Sequence, residues 1–272
     1  MKRSIALILV VFVFAAVSAF AQADNIQKVP LSQAETDRIV KAFTDHEAQF
    51  RTALTNYVFN RSANISTVGM GGQITGTFRL DSFMALTQSG ERIEKILFAP
   101  ISTLTEMKVT KEDLEDLGGV NPFALEPSSI KDYNFDYVGK EKIDDLSLYV
   151  FDVTPKFIPD PKKSKLRLFT GRVWVDDRDL MIVKTKGKAV PETKTDKYPV
   201  VETWRENIDG KYWFPTYVSS DDELVFDNGL VVKLKMRVKY NNYKLGHSDV
   251  RILDDDETPA PKPTPSPSPQ KP

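Results

Sequence analysis

Apolar and polar positions follow two different periods along this chain, and the change falls near Tyr57. Upstream of it, Ile39, Phe43, Phe50, Leu54 and Tyr57 recur at steps of three, four or seven, which lays one apolar stripe along a helix. The pattern predicts a helix within Leu31–Tyr57, about six to seven turns long. Ser32 and Glu35 have the Ser-x-x-Glu spacing of a capping box at its start. Asp37, Arg38, Lys41, Asp45 and Arg51 take the other faces. A single amphipathic helix must lay its stripe on something apolar, and the rest of the chain offers sheet.

Beyond Tyr57 the period is two. Strands are predicted at Val58–Val68, Gln73–Leu80, Ser82–Gln88, Arg92–Phe98, Tyr133–Lys140, Ser147–Thr154, Leu166–Val175, Met181–Lys188, Val200–Glu206, Phe214–Ser219 and Leu230–Tyr243. The last is the clearest: Val232, Leu234, Met236, Val238 and Tyr240 alternate with Lys233, Lys235, Arg237 and Lys239. A short helix is expected at Lys111–Leu117, capped by Thr110 and Asp113 and ended by Gly118-Gly119. Turn signals at Ser89-Gly90, Asp176-Asp177, Asp209-Gly210 and Asn228-Gly229 leave gaps too short for parallel crossovers, so the strands should pair antiparallel. The expectation is a mainly β (α+β) domain over residues 24–257, about ten or eleven strands in one meander with one long helix before them.

The two ends differ from this body. Lys2 and Arg3 precede an apolar run from Ile5 to Val17, and Ala19-Phe20-Ala21 and Ala21-Gln22-Ala23 offer small-x-small cleavage patterns. Residues 1–23 therefore read as a cleavable secretory signal peptide, because the run is shorter than the roughly 20 residues a spanning helix needs. Residues 258–272, TPAPKPTPSPSPQKP, have no side chains to build a core and read as an extended, disordered tail. The chain has no cysteine, which removes disulfides, thiolate nucleophiles, cysteine metal sites and any lipid-attachment cysteine. Together these features point to a bacterial periplasm or exterior and to no stable membrane insertion after cleavage.

Charge narrows the partners. Lys and Arg number 37 against 38 Asp and Glu; losing Lys2 and Arg3 leaves 35 against 38, a net charge of −3. The charges are interspersed, so nothing steers nucleic acid to the surface. The chain has no Gly-x-Ser-x-Gly elbow, no His-Glu-x-x-His pair and no phosphate-binding loop. His46 and His247 stand without ligand-spaced neighbours and read as surface residues. The acidic runs Asp144-Asp145, Asp176–Asp179, Asp221–Glu223 and Asp254–Glu257 lack calcium-loop spacing and read as polar turns or a solvated end. No enzyme, cofactor or metal is expected. A carboxylate pair assembled only in space would leave no trace in this pattern.

Three segments resemble a known family: YNFDYVGKEKIDDLSLYVFDVTPK, then FTGRVWVDDRDLMIVKTKGK with its Gly171-to-Asp176 core, then WRENIDGKYWFPTYV. They are similar to strand motifs of the outer-membrane lipoprotein-sorting proteins, the periplasmic lipoprotein carrier (LolA-like) superfamily. The resemblance covers about residues 130–243 and extends over the body by the helix-then-strands order. It implies an antiparallel incomplete β-barrel with the long helix packed on its concave face, and a cavity that holds lipid or the acyl chains of lipoproteins. It also implies a functional arginine, for which Arg61 and Arg79 both remain open.

Such a cavity needs large, adaptable apolar side chains, since each buried methylene contributes about 0.8 kcal/mol. The candidates are Phe43, Phe50 and Leu54 on the helix and Phe78, Leu80, Phe83, Phe151, Trp174, Trp204, Phe214 and Met236 on the strands, each equally able to serve as ordinary core. The expected function is a non-catalytic soluble periplasmic carrier or binding protein for lipid or lipoprotein acyl chains. The alternative is an envelope sensor or protein-interaction module on the same fold.

Overall fold

The computed structural model describes residues 25–86, 92–110, 113, 125, 128–164 and 166–246. The signal-peptide region, the proline-rich tail, His247 and all of the 111–117 segment except Asp113 lie outside them. Among the described residues no helix is long and apolar enough to cross a membrane.

The helix α1 runs Gln33–Leu54. Its capping box closes as the sequence predicts: the Glu35 amide donates to Ser32 Oγ at 3.3 Å, and the Ser32 amide donates back to Glu35 Oε2 at 3.3 Å. Among the described residues ten strands follow: β1 Tyr57–Val68, β2 Ile74–Leu86, β3 Arg92–Phe98, β4 Tyr133–Ile143, β5 Leu146–Pro155, β6 Leu168–Asp176, β7 Ile182–Val190, β8 Val201–Ile208, β9 Tyr212–Val225 and β10 Val231–Leu245. All pair antiparallel in one sheet of order β3-β2-β1-β10-β9-β8-β7-β6-β5-β4, which is not closed. The fold is thus an incomplete barrel preceded by a long helix.

Two expectations change. The strands expected at Gln73–Leu80 and Ser82–Gln88 are one strand, β2. Asp81 looked like a break, but it sits in register opposite Ser62, and its carboxylate accepts from Ser62 Oγ at 2.6 Å and from Arg79 Nη2 at 2.7 Å. The strand order is also not a simple meander. β1 pairs with β10, and the sheet opens between the sequence neighbours β3 and β4, whose connection, residues 99–132, is far too long for a hairpin.

Strand parity fixes the two faces. On the inner face Ile65 stands between Phe78 and Met236, and Ala63 between Leu80 and Val238. The helix crosses this face. Its first half sets Ile39, Val40 and Phe43 on Phe151, Val153, Val173, Val175 and Ile182 of β5–β7. Its second half sets Phe50 and Leu54 on Phe59, Phe214 and Val238 of β1, β9 and β10. The outer face holds a smaller apolar cluster of Leu148, Val150, Trp174 and Val183, covered by Ile26 and Trp213.

Acidic runs behave differently from one another. Asp221–Glu223 is part of β9 rather than a turn, and two of its acids face the cationic side of β10: Asp221 bonds Arg237, and Glu223 lies 2.8 Å from Lys233, while Asp222 stands opposite Leu234 and accepts from the Val200 amide at 2.7 Å. Asp209-Gly210 lies in the tight three-residue connection between β8 and β9, with φ of 59° and 69°, both in the left-handed region that Asp and Gly adopt more readily than most residues. Asp176, at the end of β6, is 4% exposed. Burial, with the Asp179 charge beside it, pushes its carboxyl above the ordinary carboxylate range, and its Oδ1 has no partner among the described residues. A raised native value means the folded state holds the proton more tightly than the unfolded chain. The ionised group therefore weakens the fold above that raised value, and the penalty is relieved as pH falls toward the ordinary range. Asp176→Asn should raise the melting temperature at pH 7, with the advantage over wild type shrinking as pH falls; an advantage independent of pH in parallel melts would contradict this reading.

Candidate functional site

The apolar stripe of α1 has a gap between Phe43 and Phe50, and Glu47 fills it, four residues after one and three before the other. Glu47 is 3% exposed. Its carboxylate takes both arms of Arg205 from β8, Nη1 at 2.6 Å and Nη2 at 3.0 Å. This is a bidentate pair in a dry setting, the strongest geometry available to such a pair. The guanidinium also lies 5.2 Å from the Phe50 ring. His46, next in sequence, is half-buried rather than on the surface: its Nδ1 lies 3.0 Å from the Leu180 carbonyl, which requires the proton on that nitrogen.

Arg205 marks one end of a cavity of about 370 Å³ on the inner face, beyond the area the helix covers. A volume of this size lies within the range of roughly 300–1,000 Å³ seen for small-molecule sites. One wall is apolar and comes from β1, β9 and β10: Ile65, Val218, Leu224, Leu234 and Met236. The facing wall comes from β7 and β8: Thr185, Gly187, Ala189, Val201, Thr203 and Arg205. Gly187 is required there, because a Cβ on it would lie 2.5 Å from the Phe169 ring, which also lines the cavity.

Two segments without regular structure complete the enclosure. Residues 106–110 bring Met107 and Val109 against the core. Thr110 and Asp113 cap each other reciprocally at 2.9 and 3.1 Å, as the sequence suggests. Residues 195–199 form the other edge. They are tied down at Lys197, which lies 3.0 Å from Asp227, and at Tyr198, whose ring lies 4.8 Å from the Arg167 guanidinium. The lining also mixes the cations Lys108, Arg167, Lys188 and Lys197 with Glu106, Asp113 and Asp196.

Among the sequence candidates, Met236 lines this cavity. Phe43 and Phe151 instead pack on each other at 5.8 Å under the first half of the helix. Phe50, Leu54 and Phe214 close the core under its second half, with Phe50 and Phe214 at 5.3 Å, and Leu80 is buried on the inner face of β2 beside the partly buried Phe78. Phe83, Trp174 and Trp204 take the opposite parity and lie on the outer face. There Lys184 is held between the two tryptophans, 4.7 Å from Trp174 and 4.2 Å from Trp204. Of the two arginines left open, Arg61 is 1% exposed and bonds Glu94, while Arg79 is half-exposed, bonds Asp81 and lies over Phe98. The helix stripe does not line the cavity among the described residues.

No protein-family model matches the chain, and no curated protein matches it in sequence. Solved structures do match. The chain is similar in fold to LolA superfamily structures. One is a LolA superfamily protein from Nitrosomonas europaea, 14% identical, covering 78% of this chain and 96% of that one at a TM-score of 0.33. A second is an outer membrane lipoprotein-sorting protein domain from Vibrio parahaemolyticus, 11% identical, covering 76% and 93% at 0.36. A third is a DUF1329 family protein from Desulfovibrio piger ATCC 29098, 16% identical, covering 79% and 95% at 0.38. Likeness at these scores concerns the arrangement of helix and strands. What the cavity can hold follows from its own walls.

Proposed function

We infer that this chain is a non-catalytic periplasmic carrier or binding protein for lipid or for the acyl chains of lipoproteins. The observation that carries this reading is the sheet-lined apolar cavity of about 370 Å³, left open beyond a helix that already covers the core. Ile65, Val218, Leu224, Leu234 and Met236 form a continuous apolar wall that a hydrocarbon chain can follow, and burying each methylene there contributes about 0.8 kcal/mol. Carriage of this kind calls for no acid, base or metal. The mixed charge in the lining suits a polar lipid headgroup.

Thermal melting with and without palmitoyl lysophosphatidylcholine tests the reading. Ligand at about 100 times its dissociation constant should stabilise the protein by about 2.7 kcal/mol. Val218→Trp, which fills the cavity from β9, should remove that gain. An unmoved transition in wild type would count against a carrier. The interaction-module alternative draws on a different feature: the edge strand β3 exposes Ile96, Leu97 and Phe98, with Ile101 just beyond, a row open to strand addition by a protein partner.

The periplasmic part of the proposal rests on residues 1–23. The intact mass of protein exported by a bacterial host should lack the first 21 or 23 residues. Retention of Met1 to Ala21 in that mass would contradict it.

A further inference from the structure

The facing wall of the cavity is not apolar throughout. Thr185 and Thr203 stand directly opposite each other on β7 and β8, and Arg205 follows Thr203 on the same face of β8. All three line the cavity, and Thr185 and Arg205 are 9% and 3% exposed. Neither threonine hydroxyl has a hydrogen-bond partner among the described residues. Arg205 gives both terminal nitrogens to Glu47, and its Nε is left without an acceptor. Two hydroxyls thus line one wall of the cavity without a protein partner, and beside them the buried Nε of Arg205 lacks an acceptor, a rare state for a buried donor.

What they lack is an acceptor, and charge decides which kind. Glu47 already balances Arg205, so an anionic group placed against these three residues would find no free charge among them. A neutral carbonyl oxygen needs none, and it can accept from two donors at once. We propose that Thr185 and Thr203, beside the neutralised Arg205, form a carbonyl-recognition wall, so that the cavity selects acyl esters over plain alkyl chains. This rests on the carrier reading and narrows its cargo. The ester carbonyl lies against β7 and β8, and the hydrocarbon runs along Val218, Leu224, Leu234 and Met236.

Ligands that differ only in the carbonyl test it. One pair is palmitoyl lysophosphatidylcholine and its hexadecyl ether analogue, both below their micellar concentrations. The second is a dipalmitoylglyceryl-cysteine peptide and its ether-linked counterpart, which separates a polypeptide source of acyl chains from a membrane lipid. Calorimetric titration of the full chain should show the ester bound about three- to tenfold tighter than the ether in at least one pair, the range one or two hydrogen bonds give. Thr203→Val and Thr185→Val preserve shape while deleting a donor. They should abolish the preference, bringing ester affinity down to that of the ether. Equal affinity of wild type for ester and ether in both pairs would overturn the carbonyl wall while leaving the carrier intact. Binding of neither ligand in either pair would overturn both.

Discussion

Glu47→Ala should destabilise the protein by about 3–5 kcal/mol in urea melting, because it leaves the Arg205 guanidinium buried with no counter-charge. The two side chains are 4% and 2% exposed, so water cannot take over the lost bonds. The expectation has a built-in contrast. Replacing both members with apolar residues of similar volume, Glu47→Leu with Arg205→Met, should recover most of the loss, since the desolvation of both charges is then removed as well. A single-variant loss under about 1 kcal/mol would mean that the helix shifts and lets water reach Arg205.

Phe43→Ala carries the second large effect, about 3–5 kcal/mol. Phe43 has no exposure and touches Phe135 at 5.7 Å and Phe151 at 5.8 Å, so its removal leaves a hole bounded by the helix and two strands. Phe50→Ala should cost a similar amount under the other half of the helix, where Phe50 meets Phe214 edge-on. The two sites lie in separate clusters, so their effects should add within about 0.5 kcal/mol. Strong non-additivity would show that the helix docks as one unit and is lost as one unit.

Much of the fold could be read from local pattern. The helix announces itself twice, by a stripe and by a capping box, and both signals act within a few residues. The strands show as alternation, and Asp209-Gly210 and Asn228-Gly229 mark their turns, because a tight hairpin needs residues that accept positive φ. Where Asp81 interrupted the alternation, the pattern split β2 in two, since a cross-strand bond from Ser62 has no local signature. The pairing of β1 with β10 is likewise long-range.

The site was much less legible. Alternation tells which residues share a face but not which face the helix covers. Phe83, Trp174 and Trp204 were as good candidates as Met236, and only parity against Ala63, Val173 and Arg205 separates them. About a third of the lining residues come from residues 106–110 and 195–199, which have no period to read. Two signals were available. A glutamate in the empty place of an apolar stripe implies a buried cationic partner, and Glu47 is such a residue. Leu234 shares the alternating stripe with Met236 and lines the same wall.

The central claim is that the cavity on the inner face holds an acyl chain, and the most direct test is to ask what the protein carries. The protein would be purified natively from the cells that make it and extracted with organic solvent, and the extract analysed by mass spectrometry. The account predicts roughly one acyl lipid per protein chain from wild type, and little from a folded Val218→Trp in which the cavity is filled. An extract of folded wild type without acyl lipid, from protein that added palmitoyl lysophosphatidylcholine also fails to stabilise, would contradict it.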